Sequence, residues 1–474
     1  MNTWQTILSY FISLAGFVLS IRFFVFIVLG SRAKVESQKA PVLYGQKPLF
    51  FSILIPAKEE TKVIIKTLQN MLQIDYPKEK QEIIIITDQK ETTTQKNNST
   101  RCVIENWIAS SYNGIKCSKN LTQSVFTSEL IPPIVVLDVP ASYDGTIPGS
   151  YVNHPVSSSK GRALNYALAV HSFPHPNQYC SFFDAETHVE STIFSTIEKY
   201  TPLPQKMPVW QGPALQVRNF HHLSLFSKIA ALAQAFSHEY TLPSLLHWIP
   251  FLGGTNMHIP YSIVQSLHGF RANCATEDIE MGLRIWDQCD EIPKFLPVVC
   301  TEQTPFNFLG YFVQRLRWGK GIIDVLLHAN KSFVHSPKER WWMLCKLFFL
   351  GPFEWYLYGA VSIFYLVHTM QHFSVSFSAF NGSYFLFLGA SILFILALYL
   401  RYRYYMQNKE GFFRNIFQFF LLMLYMMTIL PFVSFLYGLP FICGSVLSVY
   451  QKIRYKELST KNEFWKKTPR TTEM

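Results

Sequence analysis

Two long apolar stretches bracket a more polar region of about 300 residues, and this layout limits the folds open to the chain more than any other feature. The first stretch covers residues 7–30 and the second group fills 343–450. A bilayer core of about 30 Å is crossed by about 20 apolar residues in a helix, so both regions are expected to span a membrane. Residues 343–368 and 384–400 read as single spans, and the block 412–449 is long enough for two helices turning near Pro431. Basic residues on both sides of that block call for an even number of crossings there, about five spans in all. The stretch 7–30 lacks the basic leader, short apolar core and small-residue cleavage site of a removable signal, so it reads as a permanent anchor.

The net charge of +11 points to an anionic membrane surface rather than to nucleic acid, because of where the charge lies. Arg32, Lys34 and Lys39 follow the first apolar stretch, Arg401, Arg403, Lys409 and Arg414 fall between later ones, and Lys452, Arg454 and Lys456 follow the last. Positive charge gathers on the cytoplasmic side of spans, which places residues 31–340 in the cytoplasm of a multi-pass membrane protein. The eight cysteines include no CxxC pair and no zinc-ligand spacing, as expected of free thiols in a reducing compartment.

Between the apolar blocks the pattern alternates between strand and helix. Phe50–Pro56 (FFSILIP) is a short apolar run with the look of a buried strand, 59–74 repeats apolar residues at helical spacing, and 82–87 (EIIIIT) is a second buried strand. Strand, helix, strand in this order implies a parallel sheet. Residues 134–139 and 179–183 add two more strands and 160–170 a helix, whereas 89–124, rich in Thr, Asn, Gln and Ser, reads as a surface excursion with a helical patch at 103–109. Ligands of open parallel sheets sit beyond the carboxyl ends of the strands, where Asp88 and Asp184 stand. Asp is also an ordinary turn or cap residue, and either aspartate taken alone fits that role.

Three short segments carry candidate chemistry. Asp184 and Glu186 are two residues apart after a strand, so in extended backbone both carboxylates point the same way and can share one cation. Thr276-Glu277-Asp278 precedes a helical segment, 279–286, where Thr276 would serve equally as a helix cap with acidic residues in the first turn. In Gln314-Arg315-Leu316-Arg317-Trp318 the first, fourth and fifth residues share a helix face. There Arg317 offers a forked donor for diphosphate oxygens and Trp318 a flat surface for a sugar ring. An interfacial Trp/Arg belt beside a membrane is the competing explanation.

The ordered series 51–60 (FSILIPAKEE), Asp88, 159–165 (SKGRALN), Asp184-Ala-Glu186, 253–256 (GGTN), Thr276-Glu277-Asp278 and Gln314-x-x-Arg317-Trp318 closely resembles the family 2 glycosyltransferases that make cellulose, chitin, hyaluronan and mannan. Ceramide glucosyltransferases share much of it. The resemblance implies an α/β domain of the GT-A type at about 45–320, set between an N-terminal anchor (1–30) and a C-terminal membrane region (343–450). An interfacial segment at 321–342 and a cytoplasmic tail at 451–474 complete that layout. It implies inverting transfer from a nucleotide-diphospho-sugar, UDP being favoured, to a growing β-linked polysaccharide, with Mn²⁺ or Mg²⁺ as cofactor and oligomerisation left open. By the same resemblance Asp278 is the general base with Glu277 beside it, and Asp184 and Glu186 hold the metal. Pro56, Glu59, Asp88, Lys160, Asp184, Gln314 and Arg317 bind the donor, and Trp318, Gly254 and Thr255 meet the acceptor. Two positions depart from the pattern: Glu186 stands in place of a second aspartate, and Arg162 in place of a usually small residue. Transfer of a single sugar to a membrane lipid, ceramide-like or polyprenyl phosphate, is the alternative activity, and an inactive receptor on the same fold a third.

Overall fold

A computed structural model describes residues 21–22, 24–37, 48–112, 114–201, 206–328, 334–350, 396–406, 412–429 and 435–455, together with 353, 355, 356, 359 and 433. Its main elements run β1 (Phe50–Pro56), α1 (Ile64–Met71), β2 (Gln81–Asp88), α2 (Gln89–Gln95), α3 (Thr100–Ser111), β3 (Lys116–Lys119), β4 (Gln123–Thr127) and β5 (Ile134–Val139). Next come α4 (Lys160–Val170), β6 (Gln178–Phe182), β7 (His188–Val189), α5 (Ile193–Tyr200), β8 (Trp210–Gln211), β9 (Ala214–Leu215), α6 (Leu225–Phe236) and β10 (Met257–Pro260). The chain continues through α7 (Glu277–Cys289), β11 (Lys294–Phe295), β12 (Cys300–Thr301), α8 (Phe308–His328), α9 (Pro337–Leu350), α10 (Phe412–Thr428) and α11 (Phe435–Tyr455).

Strands β6, β1, β2 and β5 form a parallel centre, buried almost throughout on both faces as parallel sheets are. Phe51, Ile53 and Ile55 enter one core with Ile83 and Ile85, while Leu54, Ile84 and Ile86 enter the opposite core with Val135 and Leu137. The full sheet runs β11-β8-β10-β6-β1-β2-β5-β4-β3, and a small second sheet runs β7-β12-β9. The strands expected at 50–56 and 134–139 and the helix at 160–170 form over those residues.

Some expectations are corrected. The helical patch expected at 103–109 lies within α3, but the segment 89–124 is more than a surface excursion: it also folds into α2, β3 and the start of β4, antiparallel strands that extend the sheet past β5. Its polar composition misled because β3 is an exposed edge strand, and such edges carry polar and charged residues that discourage pairing with other chains. The helix expected at 59–74 begins only at Ile64. Glu59 has a φ of 56°, and the amides of Glu59 and Glu60 bond to Glu91 and Thr100, so this stretch turns before the helix starts.

Among the described residues no helix is long and apolar enough to cross a membrane. Most of the expected spans at 7–30, 343–368 and 384–400 lies outside the described residues. Two helices, α10 and α11, flank Pro431, but α11 turns polar side chains toward α8. Ser445 donates to the Gly319 carbonyl, and Ser448 bonds to Asp324. Helix α8 itself passes without a break through the boundary drawn at 320–321.

Candidate active site

The parallel register sets Leu54 of β1 level with Ile84 of β2 and Phe182 of β6, so these strands end along one edge. Strand β10 lies antiparallel beside β6, with Met257 opposite Phe182, and this reversal brings 253–256 to the same edge. Asp184 and Gly254, far apart in sequence, thereby become neighbours. The Asp184 amide donates to Thr255 Oγ1 at 3.3 Å, and the hydroxyls of Thr255 and Thr187 lie 2.9 Å apart. Thr255, expected at the acceptor, is buried with its hydroxyl committed to the 184–187 turn.

The carboxylates of Asp184, Glu186 and Glu302 converge, with one oxygen from each within 4.8 Å of the others. Glu302 follows β12, which pairs with β7, and its Oε1 accepts a hydrogen bond from Thr187 Oγ1 at 2.8 Å. Hard oxygen donors in this number suit Mg²⁺ or Mn²⁺ and disfavour soft metals. The residues present therefore fit a divalent cation, for which Glu302 would be a third ligand that the short Asp-x-Glu segment does not reveal. No spacing rule links Glu302 to Asp184; the small sheet β7-β12-β9 does.

Lys160, on the first turn of α4, donates to Asp184 Oδ1 and, at 2.5 Å, to the carbonyl of Gly254. Gly254 has a φ of +81°, and a Cβ there would come within 2.7 Å of Asp278 Oδ2, so only glycine allows this approach. Asp278 and Glu277 open α7. Thr276 makes no capping bond, contrary to the cap expected of it. Its side chain instead packs at Gly321 of α8, where an added Cβ would meet it at 2.5 Å. Burial raises the affinity of both carboxylates for a proton, and Asp278 adds to the effect on Glu277, pushed up to about 7, while Lys160 and Arg317 oppose it. Burial alone would lower Lys160, but Asp184 and Glu277 outweigh it and hold the ammonium protonated above its usual range.

Helix α8 brings Arg317 close enough to this centre to act on the charges of Glu277 and Asp278. Gln314 is buried, and its Oε1 has no hydrogen-bond partner among the described residues. Arg315, which sequence reasoning passed over as filler, is 1% exposed and stacks over the Trp318 ring at 3.8 Å. Its Nη2 donates to Gln234 Oε1 at 3.2 Å. Trp318 thus has one face against a buried guanidinium.

At the other end of the edge, Asp88 caps α2, its Oδ1 accepting from the Lys90 amide at 2.9 Å. Glu91, buried and also missed by sequence reasoning, accepts from the Glu59 amide at 2.6 Å and from the amide and hydroxyl of Thr100. This fixes the turn after Pro56 beside Asp88. Asp88, Asp184 and Gly254 thus lie along one edge of one sheet, with Lys160 reaching Asp184 and Gly254 from α4.

A model of the glycosyl transferase family group 2 matches residues 181–455. The chain is 23% identical over 364 residues to the probable glycosyltransferase YdaM of Bacillus subtilis (strain 168), covering 74% of this chain and 71% of that protein. It is 22% identical over 371 residues to the poly-beta-1,6-N-acetyl-D-glucosamine synthase of Staphylococcus epidermidis, covering 76% and 77%. Among solved structures, the mannosyltransferase PcManGT from Pyrobaculum calidifontis in complex with GDP-Man and Mn²⁺ superposes with a TM-score of 0.50 at 15% identity, over 93% of this chain and 99% of that one. That likeness shows the fold, a GT-A-like nucleotide-sugar transferase domain.

Proposed function

This chain belongs to the glycosyl transferase family group 2, and from that premise we propose that it moves a sugar, with inversion, from a nucleotide-diphospho-sugar to the hydroxyl of a growing β-linked polysaccharide at a membrane. The observation that carries the reading is the junction made by Lys160. Its ammonium bonds to Asp184 of the acidic triad and to Gly254, whose backbone lies against Asp278. A diphosphate beside Lys160, its charge offset by a divalent cation that Asp184, Glu186 and Glu302 would hold, would therefore have its sugar near Asp278.

In this reading Asp278 accepts the proton of the acceptor hydroxyl as it attacks the anomeric carbon from the face opposite the leaving group. Lys160 and Arg317 stabilise the charge that grows on the departing diphosphate, and a bound Mn²⁺ or Mg²⁺ would neutralise the same oxygens. Gln314 offers its buried carboxamide to the diphosphate side, and Trp318 presents its open face to the acceptor sugar. The polymer product is supported by the similarity to a polysaccharide synthase over three quarters of the chain. The membrane setting, with residues 31–340 cytoplasmic, rests on the apolar blocks and their basic flanks.

The test is a panel of radiolabelled UDP- and GDP-sugars given to the purified protein in lipid, followed by sizing of the product. Long chains from donor alone are expected. A single extractable glycolipid, formed only when lipid acceptor is added, would replace the polymer reading with single-sugar transfer.

A further inference from the structure

Arg162, in the first turn of α4, is the residue that departs from the expected small side chain, and its guanidinium meets several distant segments. It is 1% exposed, among the most deeply buried of the large side chains. Its Nε donates to the Tyr143 carbonyl at 2.8 Å and its Nη2 to the carbonyls of Pro140 and Ala141, the latter at 3.3 Å. Its Nη1 reaches Asp88 Oδ2 at 3.5 Å. One guanidinium therefore ties the loop after β5 to the aspartate at the end of β2, the strand next to it. A buried fork with planar, fixed donors suits several acceptors at once, which a small residue or a lysine would not reach.

Ser158 acts on the same oxygen. Its hydroxyl donates to Asp88 Oδ2 at 2.6 Å and accepts from Lys58 Nζ and Lys90 Nζ, each at 3.1 Å. Asp88 Oδ2 thus takes two donors, while among the described residues Oδ1 takes the Lys90 amide alone. A carboxylate has about four acceptor positions, so the remaining capacity lies at Oδ1.

We propose that Arg162 and Ser158 are positioning residues for the donor's nucleoside: they hold Asp88 by Oδ2 so that Oδ1 stays available to an N–H or O–H of the base or ribose. The inference rests on the reading of Asp88 as the nucleoside contact. It assigns to Arg162 an effect on the nucleoside half of the donor and none on the diphosphate half, which is held by the acidic triad and Lys160. A purely structural arginine, pinning the loop and no more, would affect both halves together or neither.

The experiment measures binding to the purified full chain by calorimetry, with UDP, GDP and inorganic pyrophosphate as probes, each with Mn²⁺. Arg162→Lys is expected to weaken whichever nucleotide the wild type prefers by about tenfold, the size of loss usual when a partner that orients a ligand-binding group is removed. Pyrophosphate binding stays unchanged, and adding Arg162→Lys to Asp88→Asn brings no further loss. Ser158→Ala, which leaves the loop carbonyls untouched, shows a smaller loss with the same selectivity and keeps the test open if the Arg162 variant does not fold. Equal losses for nucleotide and pyrophosphate, an unchanged nucleotide affinity, or a full additive loss in the double variant would each overturn the proposal. Wild-type nucleotide affinity in Asp88→Asn alone would instead remove the nucleoside assignment of Asp88, and the inference with it.

Discussion

Asp278 and Glu277 sit side by side in a buried place where neither is easily ionised, with Lys160 and Arg317 as the opposing charges. A base must be deprotonated to work, so a raised affinity for protons makes activity fall as pH drops. Asp278 is shifted upward and Glu277 beside it is pushed up to about 7, so the pair takes up a proton between pH 8 and pH 6 and turnover is expected to be higher at pH 8. Asp278→Asn keeps the shape but accepts no proton, and should lower turnover by about two to four orders of magnitude with donor binding largely kept. A pH–rate series on both proteins is the check; wild-type-like turnover in the variant would remove Asp278 from the role of base. Glu302 makes a separate prediction. If it completes the cation site with Asp184 and Glu186, Glu302→Gln should weaken Mn²⁺ binding, measured directly by electron paramagnetic resonance of the free ion. Equal Mn²⁺ affinity in variant and wild type would reduce Glu302 to a partner of Thr187.

The elements that matter most to the site are those whose ends or faces the sheet brings together. Strand β10, by running against its neighbour β6, returns Gly254 to the edge that holds Asp184. Helix α8 then closes the site from the far side, and its own support is α11. The two approach so closely that a Cβ at Gly444 would lie 2.1 Å from the Leu316 carbonyl, and one at Gly319 would lie 2.3 Å from that of Phe441. Glycine at both positions lets the backbones touch. Gly444→Val should therefore push α11 off α8, with a loss of about 1–3 kcal/mol from overpacking and a misplaced Gln314–Trp318 face. Thermal melting together with donor binding would show it. A variant with unchanged Tm and full activity would mean that the contact does not govern the site.

For the molecule as a whole, the proposed membrane placement of the domain rests on the sequence alone: apolar blocks at both ends and basic residues beside them. The site residues between 50 and 320 would then face the cytoplasm, where nucleotide sugars are supplied, and 369–383, outside the described residues, would face the opposite side. A cysteine introduced at Asn381 should react with an impermeant thiol reagent in intact cells, whereas one at Thr93 should not. The reverse pattern would invert the topology. Thr93 is suited to the control because it sits on the exposed side of α2, away from Asp88 and Glu91.

Local order determined a good part of this protein. The parallel strands β1, β2 and β5 were legible because their Ile, Leu, Val and Phe runs have few alternatives to a sheet covered on both faces. Asp184, Glu186, Glu277, Asp278, Gln314, Arg317 and Trp318 could be singled out as candidates because each lies in a short segment whose chemistry is local, and the structure brings Asp184 to Glu186 and sets Glu277 and Asp278 within reach of Lys160 and Arg317. What lay beyond sequence reasoning depends on contacts between distant segments. Glu302 joins the acidic cluster only through the pairing of β12 with β7, and Glu91 matters only because the turn after Pro56 folds over it. Arg162 looked like an unexplained exception until the loop after β5 and the end of β2 were seen to meet at its guanidinium. Patterns of apolar residues specify which face is buried, but hydrogen-bond partners far along the chain leave no periodic trace, so only the tertiary structure could assign them.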